Sequence, residues 1–386
     1  MFYALNEKRK GRPDFLLLFL TFFLVGFGLI MIFSASYPIA IAKHDSSWHY
    51  VMKQGIFAFF GLFLMFVFMS VPLERWKKAS PLLLLLTLLM LAFVLVRSGD
   101  VNGARRWFAL GGFTLQPSEL AKLTVIVYLA TIISRKGEQI RDFRRGLIPV
   151  VTVVGLILLL VLKQPDFGTV LILAGMAVTI LLVGDADLRH LFLLGLSLVP
   201  IFLYLAFSKS YRLNRMNSFL SPFDDPEGSG YQLIQSLDAF KHGGFTGTGI
   251  GHSIQKIFYL PEAHTDFIFA VIGEELGFVG TSLLIITFFL FIWRGFRAAL
   301  KSNDFYALML GIGIVMMIFL QFLLNVGAAV GVLPITGVPL PFISYGGSSL
   351  VLCLASTGIL LNISRASHPK RQENRRNSKK VGVARL

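Results

Sequence analysis

Charged residues are scarce in this sequence, and their scarcity excludes an ordinary soluble fold. Only 15% of the 386 residues are charged, whereas 55% are hydrophobic, including 37 phenylalanines. Soluble domains usually contain about a quarter charged residues and about half apolar ones. We therefore expect much of the surface of the chain to face lipid.

Cysteine is almost absent, and the common metal-binding motifs are missing. The single cysteine, Cys353, excludes an intramolecular disulfide, so cysteine usage says little about the redox compartment. The sequence contains no H-E-x-x-H, C-x-x-C or G-x-S-x-G, and its seven histidines are scattered. No zinc site is therefore indicated.

What the sequence has instead is a series of long apolar runs. A membrane-spanning helix needs about 20 mostly apolar residues. Ten runs approach that requirement, at about 15–35, 54–72, 81–96, 119–134, 147–162, 168–183, 190–207, 267–293, 305–325 and 346–363. They predict an all-α polytopic membrane domain over 15–363 with ten transmembrane helices.

Lysine and arginine are unevenly distributed between alternate loops, and this bias predicts the orientation. With a cytoplasmic N-terminus, 24 of the 36 basic residues fall on the inner side and 12 on the outer side. Because cytoplasmic loops are enriched in basic residues, both termini are predicted to be cytoplasmic. The segment 1–14 and the basic tail 364–386 then lie inside, where the tail suits anionic lipid better than nucleic acid.

The long polar segments all fall on the outer side in this topology. The largest is the extracellular loop 208–266 between helices 7 and 8, which contains turn-forming SPFDDPEGSG and then YQLIQSLDAF. The latter has the spacing of a short amphipathic helix, suited to the membrane surface. Three further outer elements are NGARRWFALGGFTLQPSELAKL, KQPDFGT and GVLPITGVPLPFISYGGSS. Because long structured loops usually carry function, we expect chemistry outside or in the outer half of the membrane.

The stretch YLPEAHTDFIFAVIGEELGFVG, residues 259–280, carries carboxylates at the start of an apolar run and inside it. Asp266 directly precedes the run. Asp and Thr are both common N-caps, so either Asp266 or Thr265 could cap the helix. The alternative role for Asp266 is that of a functional base. The two roles are compatible, since a capping carboxylate is also held rigidly at the membrane surface.

Two further acids, Glu274 and Glu275, lie deeper in the same run. Glu274 is eight residues beyond Asp266, about 12 Å along a helix at 1.5 Å per residue. A charge at that depth is costly, so it is usually paired or functional; we favour a structural or cavity role over direct chemistry. Gly273 and Gly277 form a G-x-x-x-G, which predicts close helix packing.

Three polar residues accompany the neighbouring outer segments. Glu119 and Lys122 are three residues apart at the start of the fourth run, so they can share a helix face. They are expected to form an internal ion pair or to contact substrate. Asp166, in KQPDFGT, lies between two apolar runs with almost no loop. It either caps a tight turn or lines a cavity together with Asp266.

Basic residues on the outer side form two groups that depart from the inside-positive trend. Arg105 and Arg106 precede Trp107, which is typical of an interfacial anchor. Arg212 and Arg215 form the second pair, three residues apart. Because guanidinium groups match phosphate oxygens, these residues suggest that an anionic lipid head group is held against a carboxylate.

The motifs NGARRWF, QPSELAKL, QPDFGT, SFLSPFDDPEGSGYQLIQSL, YLPEAHTDFIFAVIGEELGFVG and LPFISYGGSS resemble the SEDS family, the FtsW, RodA and SpoVE proteins of bacteria. The likeness runs from about residue 14 to 365 and is closer to the FtsW and SpoVE branch. It implies a ten-helix peptidoglycan glycosyltransferase of the cytoplasmic membrane. Such an enzyme polymerises lipid II, an undecaprenyl-pyrophosphate disaccharide-peptide, on the outer face, here for septal synthesis in cell division.

The resemblance also implies partners and site residues. The expected partners are a class B penicillin-binding protein, which is a transpeptidase, and other membrane proteins of the divisome. Asp266, the acid of the H-T-D motif, is the expected catalytic base. The residues expected to bind substrate are Arg105, Arg106, Trp107, Glu119, Lys122, Asp166, Arg212, Arg215, Gln235, His264 and Ser344. A divalent cation such as Mg²⁺ or Mn²⁺ is considered as a cofactor, with no dedicated ligand set in the sequence. A lipid II transporter (flippase) and a non-catalytic scaffold are the alternatives.

Overall fold

Ten apolar helices coincide with the ten predicted runs. The computed structural model describes residues 11–97, 106–110, 113–207, 219–228, 230–257 and 259–366. The ten helices are α1 Phe15–His44, α2 His49–Ser70, α3 Leu73–Arg97, α4 Pro117–Lys136, α5 Ile148–Lys163, α6 Phe167–Val183, α7 Leu188–Phe207, α9 Ile268–Leu300, α10 Phe305–Ala329 and α11 Gly347–Ala366. Eight are long and apolar enough to cross a membrane by length and composition, and α6 and α7 are shorter or partly described apolar helices. The chain is thus a multi-pass helical membrane protein, as predicted.

The helix boundaries follow from local sequence chemistry. Lipid offers no partner to a backbone amide, so an apolar run in a membrane satisfies its own backbone by forming a helix. Asp14, Asp166 and Asp304 each accept a hydrogen bond from a backbone N–H in the first turn of α1, α6 and α10. Pro117 stands in the first turn of α4, where its missing N–H costs nothing.

The helices differ in how much of each is enclosed by the rest of the protein. In the apolar part of α4, 78% of residues are buried, and in α11 83%, against 22% in α2 and in α3. The helices α4 and α11, with α10, therefore form the centre of the bundle. The pairs α2 with α11, α3 with α4, and α9 with α10 pack along one another.

The long helix α9 is broken at Gly277, which adopts φ 63° and ψ −164°. The loop segment 244–249 completes the broken backbone. Thr248 and Gly249 donate N–H groups to the carbonyls of Glu274 and Glu275, and Phe278 and Val279 donate theirs to the carbonyls of Gly244 and Phe245. At Gly277 glycine is required by the positive φ of the break and also by close packing on the loop, because a Cβ there would lie 2.3 Å from the Gly247 nitrogen.

The predicted amphipathic segment is a helix, α8, Tyr231–Gly243. Its buried side packs on α9, where a Cβ added to Gly273 would lie 2.3 Å from a ring carbon of Phe240. Close packing at Gly273 is thus confirmed, although its partner is the loop helix α8. Ser236 on the same helix donates its hydroxyl to the Ala329 carbonyl, 2.6 Å away, at the end of α10.

Two short strands add a small antiparallel hairpin to the helical architecture, β1 Phe108–Leu110 and β2 Phe113–Leu115. The two intervening residues are both glycines, a pair that is frequent in two-residue hairpins. The glycine pair is a sequence signal for this hairpin, which the prediction of ten helices did not include. Shorter elements are 3₁₀ turns at Gly137–Arg141 and Pro222–Asp224 and a π-helical turn at Phe143–Leu147.

Candidate functional site

Asp266 lies at the outer end of α9, two residues before the helix begins. The N-cap position is Phe267, and no side chain there accepts a capping hydrogen bond. Glu262, with φ 56°, closes the preceding turn, because its backbone carbonyl accepts hydrogen bonds from the N–H groups of Thr265 and Phe267. The Thr265 hydroxyl donates to the Glu262 carboxylate at 2.8 Å. The N-cap position predicted for Asp266 or Thr265 is therefore wrong, because Phe267 occupies it.

The segment 331–346, between α10 and α11, packs against the Asp266 segment. Gly337 adopts φ 72°, and a Cβ placed on it would lie only 3.3 Å from Oδ2 of Asp266. The Ser344 hydroxyl donates to the Thr265 carbonyl at 2.6 Å and accepts the Leu340 N–H at 2.7 Å. The carboxylate of Asp266 therefore faces the backbone of 331–346 at close range.

The same segment also contacts the start of α6, beside Asp166. A Cβ on Gly168 would lie 2.3 Å from Cγ2 of Val338 and 2.9 Å from the Thr336 carbonyl oxygen. The contacts of Gly168 and Asp266 thus fall on the adjacent residues 336–338. The structure therefore brings the outer ends of α6 and α9 to the same segment.

Asp166 is buried within a polar network. Its carboxylate caps α6 through the Thr169 N–H at 3.2 Å and also accepts the Thr169 hydroxyl at 2.9 Å. Gln116 and Ser118, at the start of α4, donate to it at 3.1 and 3.2 Å. The predicted capping role is confirmed, and a role in lining a cavity with Asp266 stays a prediction.

Arg106 holds the turn that precedes Asp166. Its Nε donates to the Gln164 carbonyl at 2.8 Å, and its Nη2 donates to the Pro165 carbonyl. The guanidinium carbon lies 6.0 Å from the ring centroid of Trp107, within the range of a cation–π contact. A positive charge is therefore fixed next to the outer polar network.

Glu119 and Lys122 form the ion pair that was one of the two alternatives. Their side chains are 6% and 1% exposed, and Lys122 Nζ lies 2.8 Å from both Glu119 carboxylate oxygens. Both lie in the first turns of α4, immediately after Ser118. The ion pair is confirmed, whereas substrate contact stays a prediction.

His264 is enclosed by aromatic rings. The centroid of its ring lies 4.8 Å from that of Tyr50 and 5.6 Å from that of Tyr345. Burial lowers the pKa of His264 from its usual value; Glu262 opposes this shift and Lys43 adds to it. Burial therefore favours the neutral form of the imidazole.

The remaining predicted residues are less informative. Gln235 is half-buried on α8, next to Ser236. Arg105, Arg212 and Arg215 lie outside the described residues, as does the tail beyond 366. Their roles stay predictions.

The two glutamates inside α9 are paired, which agrees with the favoured structural role. Glu274 accepts the Ser253 hydroxyl and the N–H groups of Ile254 and Gln255, the latter two at 3.0 and 3.2 Å. Glu275 lies 2.7 Å from Lys256 Nζ and accepts the Ser34 hydroxyl at 2.6 Å. These acids therefore anchor the loop 248–257 to the membrane helices.

Several site residues were not singled out by sequence reasoning. Gln116 and Ser118 lie within the QPSELAKL motif, of which only Glu119 and Lys122 were predicted as site residues. Ser348, in the YGGSS motif, accepts the Gln116 N–H at 3.2 Å and donates to the Thr114 carbonyl at 2.9 Å. Asn325, near the end of an apolar run, donates to the Asp266 carbonyl at 2.8 Å. An amide in such a run needs a polar partner, and this was the available signal.

Metal binding finds no support in the geometry. Among the residues that the structure describes, no group of three or more His, Cys, Asp or Glu side chains is placed to hold an ion. Asp166 is used in hydrogen bonds to the protein.

Fold and site together define a polytopic membrane protein with a polar, carboxylate-bearing centre at the outer ends of its helices. A family model described as a cell cycle protein, covering FtsW, RodA and SpoVE, matches residues 15–369. The chain therefore belongs to the FtsW/RodA/SpoVE family.

Curated relatives match over nearly their whole length. The chain is 43% identical to stage V sporulation protein E of Bacillus subtilis, over 93% of this chain and 99% of that protein. It is 42% identical to the probable peptidoglycan glycosyltransferase FtsW of Trichlorobacter lovleyi, over 92% and 94% of the two chains.

Solved structures agree with the fold. A chain from a structure described as "Structural coordination of polymerization and crosslinking by a peptidoglycan synthase complex" superposes with a TM-score of 0.75 and 31% identity. It covers 92% of this chain and 98% of that one. The rod shape determining protein RodA of Thermus thermophilus superposes with a TM-score of 0.67 and 29% identity, over 92% and 98%.

Proposed function

We propose that this chain is a peptidoglycan glycosyltransferase that polymerises lipid II on the outer face of the cytoplasmic membrane, with Asp266 as general base. The observation that carries the proposal is the position of Asp266. Its carboxylate stands at the outer end of α9, against Gly337 and outside the apolar part of the helix. Relatives named as peptidoglycan glycosyltransferases match the chain along its length.

The reaction joins two sugars with inversion at the anomeric carbon. The oxygen of an acceptor hydroxyl attacks that carbon, and Asp266 takes the hydroxyl proton. The bond between the anomeric carbon and the diphosphate oxygen breaks, and its electron pair leaves with the undecaprenyl diphosphate. A base of this kind must come within about 2.6–3.2 Å of the hydroxyl that it deprotonates.

The leaving diphosphate gains negative charge, which fixed cations stabilise. Arg106 supports this role, because two carbonyls and the ring of Trp107 hold its guanidinium beside the outer network. Arg105, Arg212 and Arg215 are proposed for the same role from their sequence positions. Lys122 is proposed as well, although its charge is committed to Glu119 within the protein.

A transpeptidase partner fits the same proposal. One structural neighbour belongs to a complex in which polymerization and crosslinking are coordinated. We therefore propose a class B penicillin-binding protein as partner, and the division septum, with other divisome membrane proteins, as the place of work. The family description, a cell cycle protein, is in keeping with a role in division.

The test gives labelled lipid II to the purified full chain, with and without a class B penicillin-binding protein. Products are sized on a gel for the parent and for Asp266→Asn and Asp238→Asn. Asp238 is a half-buried acid of α8 on the same side of the membrane, so it is the matched control. Long glycan from the parent and the control, and none from folded Asp266→Asn, supports the proposal.

A second assay separates the enzyme from a transporter. Lipid II labelled on one leaflet of liposomes is followed across the bilayer in the presence of the chain. Movement of lipid II without glycan formation would replace the proposed enzyme by a flippase. A chain that does neither, yet stimulates a partner polymerase, would be a scaffold.

A further inference from the structure

Three consecutive backbone carbonyls around Asp266 are held by one part of the protein. The carbonyl of His264 accepts the Tyr345 N–H at 2.9 Å, and that of Thr265 accepts the Ser344 hydroxyl at 2.6 Å. The carbonyl of Asp266 itself accepts the side-chain amide of Asn325 at 2.8 Å. The segment 264–266 is therefore held by three hydrogen bonds from α10 and the segment that follows it.

Asn325 differs from the other two donors because it joins two segments. Its Nδ2 donates to the Asp266 carbonyl and to the Val338 carbonyl, both at 2.8 Å. Val338 follows Gly337, the residue whose missing side chain lets the Asp266 carboxylate approach. One buried amide thus connects the segment that carries the Asp266 carboxylate to the segment 336–338 that this carboxylate faces.

The other polar atom of this side chain also bears on the site. Asn325 is only 2% exposed, and its Oδ1 has no hydrogen-bond partner within the described part of the chain. Buried polar atoms normally have partners, so an unmatched one calls for an explanation. Leucine or methionine would fill an apolar helix at less cost, which indicates that the amide is there for its two donor bonds.

We infer that Asn325 is a positioning residue of the polymerase reaction, which sets the distance between the Asp266 carboxylate and the 336–338 backbone. This inference rests on the proposed role of Asp266 as base. An acceptor hydroxyl must come within about 2.6–3.2 Å of this carboxylate, so the position of the carboxylate relative to its neighbouring backbone matters for the reaction. Because a misplacement of about 1 Å can reduce the rate about 100-fold, loss of the amide bridge should affect turnover more than binding.

A matched control exists at the opposite face of the membrane. Asn362, on α11, is also buried, and its Nδ2 also donates to two backbone carbonyls, those of Phe68 and Val71. Asn362→Ala therefore removes the same kind of bridge from the same kind of environment. A role of Asn325 in stability alone would make the two variants equivalent in activity.

The experiment measures kcat and KM for lipid II, and the melting temperature, in the purified full-length parent, Asn325→Ala, Asn325→Asp and Asn362→Ala. We expect both alanine variants to lose melting temperature, while only Asn325→Ala loses kcat, by about 10- to 100-fold, with KM nearly unchanged. Asn325→Asp adds a carboxylate near Asp266, which disfavours its ionised form. The acidic limb of the pH–rate profile should therefore move to higher pH.

The inference is overturned if Asn325→Ala keeps the kcat of the parent, or if Asn362→Ala loses kcat to the same extent. If Asn325→Ala and Asn325→Asp do not fold, Asn325→Ser, which keeps a polar group but loses the amide bridge, decides by the same kcat criterion. Asp266→Asn, measured alongside, separates the proposed base role of Asp266 from the positioning role of Asn325. An active Asp266→Asn would remove the proposed base, whereas an inactive Asp266→Asn with a fully active Asn325→Ala would remove only the positioning role.

Discussion

Replacement of Lys256 by methionine should destabilise the protein far more than an exposed ion-pair deletion. Lys256 and Glu275 are 2% and 0% exposed, and Nζ lies 2.7 Å from the carboxylate and 3.0 Å from the Ser34 hydroxyl. Lys256→Met keeps the length and apolar stem of the side chain but removes its charge. Glu275 would then remain buried with Ser34 as its main described partner.

Removal of one partner from a buried ion pair costs about 3–5 kcal/mol, because the other charge is left uncompensated. The pair Arg141 and Asp185 provides the contrast, since its side chains are 58% and 69% exposed. An exposed pair contributes about 0–1 kcal/mol. Lys256→Met should therefore cost several times as much stability as Arg141→Met.

The assay is thermal unfolding of purified variants in one detergent. Since 1 kcal/mol shifts the melting temperature of a domain of 150–250 residues by about 2–4 °C, we expect a fall of about 5 °C or more for Lys256→Met and little change for Arg141→Met. The double variant Lys256→Met with Glu275→Gln should recover part of the loss, because no charge stays buried. Equal melting temperatures for Lys256→Met and Arg141→Met would refute the reasoning.

Three further predictions concern the outer site. Gly168→Ala should lower polymerisation by pushing the 336–338 backbone away, while Gly155→Ala, with open space around its Cβ position, should not; gel-sized product checks both. Asp166→Ala and Asp304→Ala each remove a helix N-cap worth about 1 kcal/mol, so both should lower the melting temperature. Only Asp166→Ala should also reduce polymerisation activity, measured on the same preparations. Because burial depresses the pKa of His264 below 6.5, its stabilising contribution is present above pH 6.5 and is lost as pH falls through the lowered value. Melting temperatures between pH 7.5 and 5 should thus fall less steeply for His264→Phe, and identical slopes would contradict this.

The sequence predicted the helices well because lipid leaves the backbone few choices. Apolar runs such as 305–325 became helices with ends displaced by only a few residues, Phe305–Ala329 in this case. The capping role of Asp166 and the ion pair of Glu119 and Lys122 were each one of two alternatives that the local sequence offered. These features depend on contacts within a few residues of the chain.

The errors and omissions depend on contacts between distant residues. The N-cap assignment to Asp266 or Thr265 was wrong by one or two residues, because Glu262 closes a turn that places Phe267 at the N-cap. The break at Gly277 becomes favourable only because the loop 244–249 completes its hydrogen bonds. The amide of Asn325 in an apolar run signals a polar partner, but the sequence does not identify that partner, since the carbonyls of Asp266 and Val338 are 59 and 13 residues away.

The central claim, that Asp266 is the base of a lipid II polymerase, is tested most directly by one rate comparison. The initial rate of glycan formation at saturating lipid II is measured for the parent, Asp266→Asn and the control Asp238→Asn, all shown to be folded by melting temperature. General base catalysis contributes about 10²–10⁴-fold, so Asp266→Asn should lose at least about 100-fold while Asp238→Asn keeps the parent rate. An Asp266→Asn rate close to that of the parent would contradict the account.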